Sequence, residues 1–543
     1  MTAPETRPKL RVALVLMAVY VVFWVQFGAV RPENFGGIDE WMILSLVSRG
    51  IAAVPHANRP FGLLFNLPVG LFPAHLLEAA WLVHGHCLVL AALLTSLLLL
   101  RLAPGRPEWA LLAGVFAATW APSDWLRLNS IYSSAYAGVT ATTVLSLWLL
   151  ATSAGRPVLV VAAAALGFLA TRVHEGPLPV LLIAPLLLAG FGVRLARAGL
   201  VLYYMVMALA LAAVVVPLAS ARPETTYQRE VLGVYLDVAG LAARLAEQFR
   251  LHLGPLFWAE RGLLGLRALV SALIVFVSAL LLGRMGTQPQ AELLVVRGGI
   301  VGIVGAAASY SAFIVGARMT ASAGRTQMVA GPWIAIAVAA TILLLARACP
   351  GRARLLVLAA LGAFVAANGA ARTSQLQESW DRTGGAYYRQ AHAMQQVLAI
   401  APDLKPGSLL IFVDGGRTWL GTFVFHHAVD LLYEGKAAGC VANGREEVFI
   451  TCFMDPTGVH QVPWPILRPA WRVAPRTYRF DEVMVLSSDA AGRVKLEEEW
   501  PKELPALPPG ASYAPRSRAT ALATQPPARS VLERLSPPPA AAS

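Results

Sequence analysis

Two neighbouring carboxylates, Asp39 and Glu40, stand just beyond the first long apolar stretch, in the run Asn34-Phe-Gly-Gly-Ile-Asp-Glu-Trp41. Carboxylates bordering hydrocarbon are costly to desolvate, so they are seldom there without a task. One such group could take a proton from an acceptor hydroxyl; the pair could hold a metal ion. The competing reading is helix capping, because Asp39 precedes a helical-looking Glu40–Arg49 and acids favour that end of a helix. The two readings are compatible, since a capping carboxylate is also a fixed one.

Arginines supply the second half of the chemistry. Arg59, in Asn58-Arg59-Pro60, could clamp a phosphate bidentately, or could be a snorkelling residue at the next helix start. Arg325 lies in Ser322-Ala-Gly-Arg-Thr-Gln-Met328, ahead of a span beginning Val329-Ala-Gly-Pro-Trp333, and suits an anionic headgroup; Arg318 is a weaker candidate. Two further clusters, Ser123-Asp-Trp-Leu-Arg-Leu-Asn129 and Thr171-Arg-Val-His-Glu-Gly176, each pair an acid with an arginine. An internal salt bridge is their default explanation, and substrate binding by Asp124, Arg127, His174 or Glu175 is the alternative. His84 and His86 have no acid or cysteine at ligand spacing and read as packed or lipid-facing. The adjacent His426 and His427 point different ways on a helix, which makes a poor metal site. Walker, GxSxG, HExxH and dinucleotide glycine motifs are missing, and Gly415-Gly416-Arg417 imitates a phosphate loop only weakly.

The elements that must position these residues are mostly membrane spans. Of 543 residues, 57% are hydrophobic and only 14% charged, with a mean hydropathy of +0.60. That composition belongs to a polytopic membrane protein. The ~20-residue criterion predicts about eleven spans, near 11–30, 76–100, 108–122, 132–152, 157–171, 177–193, 199–218, 266–284, 298–316, 328–347 and 355–371. The first follows Arg7, Lys9 and Arg11 and is too long for a signal-peptide core. Phe61–Ala74 is apolar but holds Pro68 and Pro73, so it reads as interfacial or re-entrant.

The net charge of +13 comes from basic residues scattered through short loops. Every second loop is basic: Arg101 and Arg106, Arg156, Arg194 and Arg197, Arg284 and Arg297, then Arg347, Arg352 and Arg354. The positive-inside rule then puts the N-terminus in the cytoplasm and Asp39 outside it. Topology explains the charge, and no nucleic-acid partner is expected. Tyr227–Arg250 repeats apolar residues at helical spacing and predicts an amphipathic interfacial helix, or a strut across the bundle top.

From about residue 372 the composition becomes that of a soluble domain. Ser408–Asp414, Glu447–Phe453 and Glu482–Ser487 read as strands and Trp419–Tyr433 as a helix. The expected division is a helical membrane domain over 1–371, an extracytoplasmic α/β domain over 372–500, and a disordered Pro/Ala-rich tail over 501–543. Cys440 and Cys452 could pair if that domain is extracytoplasmic, or remain buried thiols.

An N-in first helix, an external loop with a carboxylate pair, then Arg59-Pro60 and a late-loop Arg325, resembles the GT-C class of polytopic glycosyltransferases. The resemblance spans roughly residues 1–370 as architecture. It differs in having adjacent acids rather than Asp-x-Asp, and Thr326 where an aromatic often follows the arginine. It implies a polyprenyl-phosphate-linked sugar donor, a lipid, glycan or protein acceptor, and a multi-pass protein of the bacterial plasma membrane and cell envelope. It also implies single displacement with inversion, with Asp39 as base, and Arg325 and Arg59 on the departing phosphate. Metal use stays open between Mg or Mn on Asp39 and Glu40 and none. Two other functions fit such a chain: a transporter or flippase of a lipid-linked glycan, and a non-catalytic scaffold with an external binding domain.

Overall fold

The computed structural model describes residues 6–54, 59–154, 156–220, 237–254, 265–285, 292–315, 327–382, 385–442, 449–465 and 467–535. Arg318, Arg325, Thr326 and Asn58 lie outside the described residues, as does 227–236 of the expected interfacial helix. The chain forms two compact units. The first comprises Met1–Arg31, His84–Leu128 and Ser133–Glu378; the second comprises Pro32–Val83, Asn129–Tyr132 and Ser379–Ser543. The loop carrying Asp39 groups with the C-terminal residues in the second unit.

The protein is mainly α and multi-pass. Among the described residues, eight helices are long and apolar enough to cross a membrane. The count of eleven is corrected at 108–122, 157–171 and 177–193, whose helices Pro107–Thr119, Pro157–Val173 and Leu178–Gly190 have 13, 17 and 13 residues. At ~1.5 Å per residue these rise less than a ~30 Å hydrocarbon core. Phe61–Ala74 becomes short 3₁₀ turns, Leu64–Leu71 and Pro73–His75, consistent with its prolines.

In the first unit the helices Glu292–Ile314 and Ala330–Arg347 pack closely against each other. Gly298, Gly302 and Gly305 lie on one stripe, and a Cβ at Gly302 would come 2.8 Å from the Trp333 carbonyl oxygen. Backbone cannot yield as a flexible side chain can. Gly302→Ala should therefore lower stability by about 1–3 kcal/mol, read as a lower melting temperature in detergent. In the helix Val238–Leu253, Arg244 Nε donates to the Ile314 carbonyl at 2.6 Å, while Val238 is exposed.

The second unit carries the α/β domain. Its strands are β1 (Asp403–Leu404), β2 (Ser408–Asp414), β3 (Ala437–Val441), β4 (Ile450–Asp455), β5 (Gly458–Pro463), β6 (Arg476–Tyr478), β7 (Val483–Ser488), β8 (Val494–Leu496) and β9 (Ala519–Thr520). A four-stranded sheet runs β3-β2-β7-β8, with β2 parallel to both β3 and β7 and β8 antiparallel. Phe412 lies opposite Val441 on one side and Leu486 on the other, and β2 is buried almost throughout. That is why β2 reads as a continuous apolar run rather than an alternating one. The helix Thr422–Leu432 is buried along its whole length because β3 covers one side and the helix Glu40–Ser48 another. Cys440 on β3 and Cys452 on β4 form a disulfide with Cα atoms 6.2 Å apart, joining this sheet to the antiparallel β4-β5-β6 sheet.

The expected disordered tail is corrected through residue 535. β9 pairs with β1, and Val531 and Leu532 are buried. The Tyr387 hydroxyl donates to the Val531 carbonyl, Gln395 Nε2 to that of Leu532 at 3.1 Å, and Arg529 Nε to that of Leu432 at 3.0 Å. Two apolar side chains and a few carbonyls anchor a Pro/Ala-rich strap whose composition alone promises no core.

Candidate functional site

Asp39 and Glu40, adjacent in sequence, have different surroundings. Glu40 is 1% exposed and turns back over its own loop. Its Oε1 accepts from the Gly36 amide at 2.7 Å and from Asn129 Nδ2 at 2.7 Å. Its Oε2 accepts from the amides of Gly37 and Ile38, both at 3.0 Å. A carboxylate offers about four acceptor positions, and all are taken. Glu40 is therefore built to hold the loop, with three amides converging on one anion.

Gly37 makes that loop possible. Its φ of +88° is left-handed, and a Cβ there would meet Ala386 Cβ at 2.4 Å. Gln390 ties the loop down, accepting from Trp41 Nε1 at 2.8 Å and donating to the Gly37 carbonyl at 3.1 Å.

Asp39 occupies the N-cap position of Glu40–Ser48, yet its side chain makes no capping hydrogen bond. The helix start is served through its backbone, with the Asp39 carbonyl accepting from Ile43 at 2.8 Å. Asp39 is half-buried. The loop thus presents Asp39 on a rigid support without committing its carboxylate to capping.

The same helix is anchored lower down. Ser45 Oγ donates to Asp430 Oδ2 at 2.5 Å, His427 Nδ1 lies 3.2 Å from Ser45 Oγ, and Arg49 reaches Asp430 at 3.4 Å. Burial holds the imidazoles of His426 and His427 below the usual histidine range, so both are neutral struts at pH 7. Arg59 is half-buried and forms a two-way backbone bridge with Val54, at 2.8 and 3.1 Å.

The other expected residues belong to the first unit. Asp124 is held by two arginines: Arg372 forks onto it from Nε at 3.2 Å and Nη2 at 2.5 Å, and Arg127 Nη2 adds a bond of 2.9 Å. Burial alone would raise this carboxyl, but the guanidiniums of Arg127 and Arg372 outweigh it and hold it below the usual carboxylate range. Arg127 is itself 1% exposed and also donates to the Thr119 and Gly369 carbonyls and to Thr373 Oγ1. The salt-bridge explanation accounts for this pair, with a partner, Arg372, that lies 248 residues away from Asp124.

His174 is buried between the rings of Tyr136 and Phe313 and accepts from the Gly176 amide at 3.0 Å, while Glu175 stands 3.9 Å off. His84 is buried, with Nε2 2.6 Å from the Leu126 carbonyl, as a packed histidine should be.

Sequence reading missed His252, Gln327 and Arg372, which line a cavity of about 480 Å³ together with Trp120, Asp124 and Arg127. His252 is buried between the Tyr310 hydroxyl and the Ala121 carbonyl, both at 2.6 Å. Burial pushes its pKa down to about 4, against an ordinary 6.5. The unfolded chain then binds more protons below pH 6.5, so folding stability falls as pH drops from 6.5 towards 4, by about 3 kcal/mol in full. Melting of detergent-solubilised protein should decline over that window, and His252→Asn should flatten the decline. An unchanged slope in the variant would remove His252 from the account.

Among the described residues no three His, Cys, Asp or Glu side chains gather as a metal-ligand set. Glu40 has no oxygen lone pair left to offer, so the Asp39–Glu40 pair as folded does not fit a divalent ion.

No family model matches the chain, and no curated protein matches it. Among solved structures, the chain is similar to the crystal structure of the Archaeoglobus fulgidus oligosaccharyltransferase determined with zinc and sulfate. The identity is 15% and the TM-score 0.41, and the match covers 78% of this chain and 62% of that one. The chain thus spans about three fifths of the length of that protein.

Proposed function

We propose that this chain is an integral-membrane glycosyltransferase that moves a sugar from a polyprenyl-phosphate-linked donor to an acceptor hydroxyl on the extracytoplasmic face. The observation that carries the reading is the division of labour at the first loop. Glu40 spends all its acceptor capacity on the loop backbone and Asn129, while the half-buried Asp39 makes no capping bond. A base needs a fixed position, and the loop held by Glu40 together with the helix start gives Asp39 one.

In this mechanism Asp39 takes the proton from the acceptor hydroxyl as its oxygen attacks the anomeric carbon. The bond from that carbon to the phosphate oxygen breaks, and its electron pair leaves with the polyprenyl phosphate. The configuration inverts in this single displacement. Arg59 neutralises the departing phosphate. No step is assigned to a metal. The outward orientation draws support from the alternating basic loops and from the Cys440–Cys452 disulfide, a bond that persists in oxidising compartments.

The test is reconstitution of the full chain in lipid vesicles with a panel of radiolabelled polyprenyl-phosphate sugars and a panel of lipid, glycan and peptide acceptors. The proposal expects release of free polyprenyl phosphate in proportion to protein. Movement of the intact labelled lipid between leaflets without cleavage would replace it with the flippase reading, and no change in the donor would leave only a scaffold.

A further inference from the structure

We propose that the cavity in the first unit is an oxyanion site that takes a phosphate group. Two independent features of its lining select that ligand. The first is charge. Among the described lining residues, Arg127 and Arg372 share the single carboxylate of Asp124, which leaves one positive charge in excess. Arg250, also at the wall, is matched by Glu247 at 2.6 Å and adds nothing to the balance. His252 is neutral at pH 7 and already bonded at both ring nitrogens.

The second feature is the polarity of the unpartnered atoms. Trp120 Nε1, Arg127 Nε and Gln327 Nε2 are buried without a hydrogen-bond partner, on residues 2%, 1% and 3% exposed. All three are donors, and among the described lining residues no buried acceptor is left unpartnered. A buried donor left unmade costs about 1–3 kcal/mol, so three around one cavity point to an occupant rich in acceptors. Water both donates and accepts and carries no charge. A phosphate brings several acceptor oxygens on one centre and the missing negative charge. The volume of about 480 Å³ accommodates the phosphate with part of whatever is attached to it.

Two sources could supply this group, a lipid headgroup or a water-soluble phosphate. The inference does not depend on Asp39 or on turnover: the cavity lies within one unit and the test reads binding alone.

The experiment titrates the purified full chain in detergent with inorganic phosphate against chloride at equal ionic strength, following thermal stability. A parallel arm compares mixed micelles carrying phosphatidic acid with micelles of phosphatidylcholine alone. Stabilisation by inorganic phosphate supports a soluble ligand, and stabilisation only by phosphatidic acid supports a headgroup. Arg372→Gln should weaken the response about 10- to 100-fold, the loss expected for a charge-assisted contact. Asp124→Asn should strengthen it, because it removes the carboxylate that competes for the same guanidinium. Gln327→Ala, outside the triad, should weaken it and serves if Arg372→Gln does not fold. A purely structural triad would make both triad variants respond alike. That result, or a wild-type protein indifferent to both probes, overturns the proposal.

Discussion

Asp39→Asn should lower sugar transfer by a factor of about 10²–10⁴, the usual worth of a positioned general base. Asparagine keeps the size and polarity of the side chain but cannot take a proton. The Asp39 side chain makes no capping bond, and the helix start is held through the Asp39 carbonyl, which the substitution keeps. The loss should fall on kcat, with KM for the donor close to wild type, because the base acts as the acceptor oxygen attacks and not in donor binding. Transfer kinetics on wild-type and variant protein at matched, folded concentrations check this. A variant that keeps more than about a tenth of the rate would fall outside the range for a base.

Glu40→Ala should act through the fold. It strips partners from three loop amides and from Asn129, all inside a site where Glu40 is 1% exposed. Unmade buried donors cost about 1–3 kcal/mol each, so the summed destabilisation should be about 3 kcal/mol or more. Glu40→Gln should cost less: one oxygen survives, but an amide group now faces donors that need an acceptor. Both variants should melt earlier than wild type in detergent. Below its melting range, Glu40→Gln should still turn over, because Glu40 serves the loop backbone and takes no part in the proposed proton transfer. A Glu40→Gln protein with wild-type melting and a base-loss phenotype would reverse the two roles.

Local patterns in the chain announce much of this structure. β2 has the bounds Ser408–Asp414 that its apolar run marks, and the helix Glu40–Ser48 ends one residue short of the expected Arg49. Glycine turns and uniform hydropathy are local signals, so they can be read without knowing what lies across the fold.

What stays hidden depends on distant partners. Nothing near Glu40 in sequence marks Asn129, 89 residues on, as a partner of its carboxylate. Arg372 falls where the membrane domain was expected to end, and nothing nearby marks it as the partner of Asp124. Its helix runs on from Gly351 to Arg382, past the expected end of the span. The strap over 501–535 has the composition of a tail, and its order comes from Val531 and Leu532 finding a buried place. The short helices between 107 and 190 show the limit of hydropathy, which reports apolar character better than length.

The central claim is that the bond between the sugar and the phosphate breaks at the anomeric carbon. A polyprenyl-phosphate sugar carrying oxygen-18 in the bridge between that carbon and phosphorus tests it directly, with the label followed by mass spectrometry after turnover in vesicles. Displacement at the anomeric carbon sends the label away with the polyprenyl phosphate. Label retained on the sugar product would mean cleavage at phosphorus, and a donor recovered intact in the opposite leaflet would mean transport; either result contradicts it.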